Sequence, residues 1–251
     1  MLLKVREQPV ADFSSLIAFY ASKEFASPKR STVPLLAYWA HPEARLRELC
    51  AHLGVDPSGP LEFHFEFPVP VQKGAGKASF TDLMVLSPWF AIAIEAKYTE
   101  PAYETVGNWL GNPPHSNRVA VLGGWIELIE RETGVRLSAL ELARHPYQLV
   151  HRTASACFPP VAQRWVVYQL FSKARLSYYH EHLSAMHRLL RGQMKLFFGL
   201  LLSPPEVSAE YAHLVSLWAS GHRDLSDPVR SGLLSNSLFN FSRVQFVGVS
   251  S

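Results

Sequence analysis

The sequence predicts an α/β fold, and three observations predict it. A phenylalanine alternation from Leu61 to Val71 has the period of two that a strand covered on one face requires. An apolar hairpin follows, from Phe80 to Glu100, and blocks with helical spacing stand before and after it. A chain of 251 residues, 48% of them apolar and 12% aromatic, also has enough side chain to pack a sizeable core in a single domain.

The elements follow in order. Leu35, Leu36, Trp39, Leu46, Leu49 and Leu53 lie near helical spacing between Pro34 and Leu53; His41-Pro42 restarts the helix and Gly54 ends it. Phe63, Phe65 and Phe67 alternate with Glu62, His64 and Glu66, so the three rings are expected on one face of the first strand. A basic glycine loop, Gln72 to Lys77, leads into the hairpin and completes a three-stranded meander. Asn117 to Arg131 and Leu137 to Cys157 are helical, parted by Gly134, with Pro146 suited to a helix restart. "RWVVYQLF", Arg164 to Phe171, is β-branched and aromatic and reads as a fourth strand. Tyr178 to Leu190 reads as a helix, "MKLFFGLLL" from Met194 as a fifth strand or a buried helix, and Glu206 to Ser220 as a further helix. From Ser235 onward the strand-like "FNFSRVQFVGV" has no evident partner and is taken as a C-terminal extension of one α/β core.

Composition excludes several classes. The amino terminus lacks the apolar stretch and small-residue cleavage site of a secretory signal, and the longest apolar run, Leu196 to Leu202, cannot span a bilayer, so a cytoplasmic protein without a membrane partner is expected. Cys50 and Cys157 are far apart and outside metal-ligand spacing, which suits reduced buried thiols. A net charge of +3 is weak, but it is uneven. Residues 141–195 carry eight basic side chains (Arg144, Arg152, Arg164, Lys173, Arg175, Arg188, Arg191, Lys195) against Glu141 and Glu181, a local +6 that leaves −3 for the rest. That supports a nucleic-acid partner without establishing one.

The hairpin carries the chemistry. Asp82, Glu95 and Lys97 interrupt runs fit for the centre of a sheet, where an unpaired charge is expensive. Pro88 excludes a two-residue turn with positive φ, so a four-residue loop from Ser87 to Phe90 is expected, with facing residue numbers summing to 177. Asp82 then stands opposite Glu95, and Lys97 follows on the same face roughly 7 Å along, with Ala91 and Ala93 leaving room beside them. Ile92, Ile94 and Ala96 take the other face. Two facing carboxylates repel unless a cation lies between them, and hard oxygen ligands suit Mg2+, with Mn2+ expected to substitute. A lysine beside them can orient or help deprotonate water and neutralise charge at phosphorus. The competing interpretation is a structural Glu95–Lys97 ion pair with Asp82 at a strand edge.

Asp82 with Glu95-Ala96-Lys97 resembles the PD-(D/E)XK nuclease superfamily, and the element order fits from about Pro34 to Phe171. The resemblance implies a restriction-endonuclease-like αβββαβ core, a central mixed sheet flanked by helices, with residues from about 172 to 251 as a C-terminal α/β extension. It implies Asp82 and Glu95 as metal ligands, the main-chain carbonyl of Ala96 completing the shell, and Lys97 acting on water. Thr81 stands where the family usually has proline. Gln148 is the candidate for the glutamine many members carry on the helix after the third strand. Gln148 and Arg152 share a helical face at i, i+4, so a guanidinium that holds phosphate is expected one turn from the amide. Many members add a carboxylate from the first helix; Glu43 and Glu48 are both open.

Other motifs carry less. "KGAGKAS" fails the phosphate-loop pattern, because Val71 occupies the first glycine position and Ala78 follows Lys77. Lys73 and Lys77 remain candidates for contact with a nucleic-acid backbone. "HEHLSAMH" lacks the histidine at 184 that a zinc helix needs. The Pro-, Gly- and Asn-rich loop after the hairpin holds Tyr103, Trp109 and Arg118, read as substrate-facing, with Trp109 as a core anchor the alternative. The expected activity is a magnesium-dependent phosphodiesterase acting on nucleic acid, DNA ahead of RNA, in defence or repair. The alternatives are an RNA nuclease and a non-catalytic nucleic-acid-binding or scaffold protein that keeps the fold. A homodimer is compatible with the sequence.

Overall fold

The computed structural model describes residues 1–190 and 195–249; Arg191 and Met194, named above, lie outside the described residues. Two short strands open the chain, β1 (Leu2–Val5) and β2 (Gln8–Val10), followed by helices α1 (Phe13–Phe19), α2 (Ser22–Phe25), α3 (Thr32–Tyr38) and α4 (Pro42–Leu53). Pro42 stands in the first turn of α4, where its missing N–H has no partner to lose, and Gly54 closes the helix at φ 66°. The meander is β3 (Glu62–Val69), β4 (Ser79–Leu86) and β5 (Phe90–Lys97). Four helices form the crossover, α5 (Val106–Leu110), α6 (Ser116–Thr133), α7 (Ala139–Leu142) and α8 (Tyr147–Ala156), and deliver the chain to β6 (Gln163–Leu170). Then come α9 (Leu176–Leu189), β7 (Leu196–Leu202), β8 (Glu206–Val207), α10 (Ala209–Ala219), α11 (Ser226–Leu234), β9 (Phe239–Asn240) and β10 (Gln245–Gly248).

Among the described residues eight strands form one mixed sheet in the order β10-β7-β6-β5-β4-β3-β1-β2. The meander is antiparallel, and β5-β6 and β6-β7 are parallel, as expected of strands joined through helices on a face. "LFFGLLL" is therefore a strand, running parallel to β6 along its length. The C-terminal segment has its partners after all: β10 pairs with β7 and β9 with β8. At the other edge β1 runs parallel to β3 and folds back as β2, so the sheet continues on both sides of the span from Pro34 to Phe171. Apolar cores lie on both faces. One gathers α1 to α4, α10 and α11 over Phe63, Leu83, Ile92 and Ile94. The other gathers α5 to α9 over Met84, Ala91, Ala93 and Tyr168. Among the described residues no helix is long and apolar enough to cross a membrane, and both cysteines are buried and free.

The phenylalanine alternation departs from expectation at one point. Phe63 and Phe65 enter the first core, but Phe67 and Val69 enter the second. Between them Glu66 adopts a left-handed φ of 53°, which turns the strand over. The β3-β4 register is constant from Glu62↔Leu86 to Val69↔Ser79, yet the pairing steps over Glu66 and its opposite number, Asp82. Strand β4 turns over at the same level: Leu83 and Val85 face the first core, whereas Thr81 and Ser79 meet α8 on the other side. Two strands thus change face together at the acidic residue of the hairpin. Glu66→Gly is expected to melt above Glu66→Ala, by about 1 kcal/mol, because only glycine takes this φ without a steric penalty. Paired thermal melts that rank the two variants the other way would show that Glu66 does not set the turnover.

Candidate active site

The hairpin has the register expected of it. Leu83 pairs with Ile94, Met84 with Ala93, Val85 with Ile92 and Leu86 with Ala91. Ser87 N–H donates to the Phe90 carbonyl at 2.9 Å, and the Ser87 hydroxyl accepts from Trp89 and Phe90 N–H, so the serine closes the Pro88-Trp89 turn. The ladder stops at Leu83↔Ile94. One step beyond it lie Asp82 and Glu95.

Glu95 is the hub. Its Oε1 accepts from Lys97 Nζ at 2.7 Å and from Gln148 Nε2, and its Oε2 accepts from Arg152 Nε at 2.5 Å. The Arg152 guanidinium also donates through Nη1 to Thr81 Oγ1 at 2.9 Å. Side-chain exposures of 2% for Glu95 and 3% for Arg152 make this a buried ion pair. The i, i+4 spacing of Gln148 and Arg152 does place both on one face of α8, and that face is pressed onto β5. Tyr147 and His151, one position earlier in each turn, take the adjoining face.

Asp82 departs from the expected picture of two carboxylates projecting side by side. Its Oδ2 accepts the main-chain N–H of Ala96 at 2.7 Å, which draws it into the seam where β4 and β5 part. Ser87 and Phe90 form a hydrogen-bonded pair, so a continued ladder would have given the Ala96 N–H to the Thr81 carbonyl; Asp82 replaces that acceptor. An extended residue sends its N–H and C=O to the same side, so the Ala96 carbonyl also leaves toward Asp82.

The electrostatics separate the two acids. Burial pushes Glu95 up, but Arg152 and Lys97 more than offset it and hold its carboxyl below the usual range. Burial and then the Glu95 charge push Asp82 well above the usual range, and Arg152 and Lys97 offset this only in part. Lys97 is pulled down by burial, but Glu95 and Asp82 raise it further, so it is a firm ammonium. His151, buried beside Arg152 and Lys97, is held well below the usual imidazole value and stays neutral, its Nδ1 2.8 Å from Ser79 Oγ.

Two carboxylates and a main-chain carbonyl are hard oxygen donors of the kind Mg2+ and Mn2+ take, and Asp82 has no cation bonded to it among the described residues, so the residues present fit such an ion. Among the described residues no three His, Cys, Asp or Glu side chains gather to hold a metal. An ion here would rely on Asp82, Glu95, Ala96 and water. Neither Glu43 nor Glu48 joins them: α4 packs on the opposite face of the sheet, and Glu48 pairs with Arg45 at 3.0 Å. The further acid that Asp82 senses is Glu66.

The residues expected to contact nucleic acid are placed as follows. Arg152 is no free phosphate arm, since its guanidinium is committed to Glu95 and Thr81 inside the protein. Arg164 is also interior, paired with Glu132 at 2.7 Å, so the basic 141–195 segment is less of a surface feature than its composition implies. Trp109 is half-buried. One face lies on Tyr147, centroids 3.7 Å apart and 9° from parallel, and the Arg118 guanidinium stands 5.6 Å from its ring. Tyr103 is exposed near Tyr147, and Lys73 is paired with Glu127 on the surface. Lys77, Trp109 and Arg118 do meet, with Ser79, Tyr147 and His151, around a cleft of about 350 Å3. The sequence reading missed Thr81 and Ser79 as partners of Arg152; small hydroxyl residues flanking Asp82 are the available signal.

The chain belongs to the family described as a domain of unknown function, DUF6946, whose profile matches residues 9–222. No curated protein and no solved structure matches it.

Arg152→Ala is expected to destabilise the protein by about 3–5 kcal/mol, because it strands a buried carboxylate, and Glu95→Gln combined with Arg152→Met should recover much of that loss. Denaturant unfolding of wild type and the two variants checks this; a loss below about 1 kcal/mol would contradict a buried pair. For Asp82 the folded state holds the proton more tightly than the unfolded one. Stability should therefore fall as pH rises from the ordinary carboxylate range through its raised pKa. Asp82→Asn keeps an acceptor for Ala96 and should remove that fall, melting above wild type at alkaline pH and level with it in acid.

Proposed function

We propose that the protein is a divalent-metal-dependent nuclease of the PD-(D/E)XK type, hydrolysing phosphodiester bonds in nucleic acid, DNA ahead of RNA, in a defence or repair role. The observation that carries this reading is the convergence on one buried carboxylate of Lys97 from the same strand and Gln148 from the crossover helix, with Asp82 one hydrogen bond away at the opening of the hairpin. The order α4, β3, β4, β5, crossover helices, β6 agrees with the restriction-endonuclease-like αβββαβ arrangement. Thr81 in place of the usual proline also acquires a reason, since its hydroxyl accepts from Arg152 and proline has none to offer.

Asp82, Glu95 and the Ala96 carbonyl would hold magnesium, or manganese in its place, which when bound supplies Lewis acidity toward the phosphate and a more acidic water. Arg152 fixes Glu95 from the protein side, and Gln148 holds its other oxygen, so the carboxylate presents one orientation. Lys97, held as an ammonium, acts as a donor: it orients the attacking water and neutralises charge that builds on the phosphoryl oxygens, rather than taking a proton as a free amine. On α8, Tyr147 and His151 line the cleft while Gln148 and Arg152 hold Glu95, so Lys77 and Arg118 at that cleft would meet the nucleotide next to the scissile phosphate.

One observation favours the rival, a nucleic-acid-binding protein without the reaction. Arg152 and Lys97 already neutralise Glu95, as in a purely structural cluster. Incubation with single- and double-stranded DNA and RNA in Mg2+ or Mn2+ separates the two. The nuclease cuts at least one substrate, and Lys97→Ala lowers the rate by more than about a hundredfold while the protein stays folded. Binding without cleavage in any metal would establish the rival, and full cleavage by Lys97→Ala would remove the lysine from the reaction.

A further inference from the structure

Three buried tyrosine hydroxyls have no hydrogen-bond partner among the described residues, and two of them, Tyr168 on β6 and Tyr179 on α9, sense the charge of Glu95. Both side chains are buried, at 1% and 3% exposure, and their rings stand 5.0 Å apart. Tyr168 is the register partner of Glu95 on the neighbouring parallel strand, so the two side chains leave the same face of the sheet about one strand spacing apart. Tyr179 senses the charges of Lys97 and Glu95, and Tyr168 those of Glu95 and Arg152. A buried phenol ordinarily finds a partner, and leaving two unmet at one charged cluster works against stability.

Glu95 explains what they await. All three donors on its carboxylate are in place, and Lys97 occupies Oε1, which a metal ion would share. An ion with two positive charges repels the ammonium, yet the lysine stem is mostly buried and its Cα is fixed in β5. Resting on the metal-dependent reading above, we propose that Tyr168 and Tyr179 are positioning residues whose hydroxyl oxygens accept the Lys97 ammonium when metal displaces it from Glu95. The lysine then stays beside the reacting phosphate instead of turning to solvent. Burial holds the Tyr179 phenol up at about 12 and Tyr168 well above its ordinary value, so both remain neutral.

The test is a Mn2+ titration by calorimetry, with metal-free melting alongside, on the full chain as wild type, Tyr168→Phe and Tyr179→Phe, each also with Lys97→Met. Both phenylalanine variants should melt at or above wild type without metal, because the deleted hydroxyls bond to nothing there. Each should bind Mn2+ about tenfold more weakly, the size of one hydrogen bond to a charged group. With Lys97→Met there is no ammonium to rehouse, and the substitutions should leave Mn2+ affinity unchanged. A drop in metal-free stability would mean the hydroxyls are already satisfied, for instance by a bound water, and overturns the proposal. So does unchanged affinity with Lys97 present, or an equal loss with Lys97→Met. Wild type that takes no Mn2+ overturns the metal-dependent reading itself, a failure visible before any tyrosine is changed.

Discussion

A carboxylate and a guanidinium, both almost wholly out of water, meet at 2.5 Å between β5 and α8, and the arrangement of the site depends on that contact. Removing two charges from water carries a large penalty, recovered only with close geometry and further hydrogen bonds on each partner. Both conditions hold. Arg152 also reaches Thr81 on β4, and Glu95 also accepts from Lys97 and Gln148, so one charge pair ties two strands and a helix at a single level of the sheet. The buried Thr153 and Ser155 hydroxyls of α8 are satisfied within the helix, donating to the Leu149 and His151 carbonyls, which lets the helix be enclosed on nearly all sides.

The same pair accounts for the asymmetry between the acids. Glu95 has first claim on both cations, and Asp82, drawn into the seam by the Ala96 N–H, has neither as a bonded partner. The turnover of β3 and β4 at Glu66 and Asp82 makes this possible, because a regular ladder would have left no free Ala96 N–H to attract a side chain. A left-handed non-glycine residue stores strain that the surroundings must hold in place. Here it lies at the level where the hairpin opens.

Much of this was legible in the residues. Pro88 limits the turn, the turn fixes the register, and the register places Asp82 and Glu95 at the same level. Helical spacing pairs Gln148 with Arg152, and both reach Glu95. What spacing cannot say is what lies against a helical face. Arg152 looks like a surface arginine because α8 carries polar groups, and only the sheet beneath it reveals an internal counter-ion. Phe67 keeps the strand period through a reversal of face, since a period of two says nothing about the φ of Glu66. Strands β1, β2 and β9, of two to four residues, are too short for a periodic signal. The pairing of Glu95 with Tyr168 joins residues separated by the whole crossover, and no local pattern encodes it.

The central claim is that the opening of the hairpin is a place for a divalent cation, with Glu95 and Asp82 as its ligands. The most direct measurement is anomalous scattering from crystals of the wild-type protein grown or soaked in Mn2+. The account predicts one strong anomalous peak within about 2.0–2.3 Å of oxygens of Asp82 and Glu95 and of the Ala96 carbonyl, with Arg152 still on the far oxygen of Glu95. A difference map without that peak, showing Lys97 and Arg152 both still on Glu95 at millimolar Mn2+, would contradict it and leave the cluster as a structural ion network.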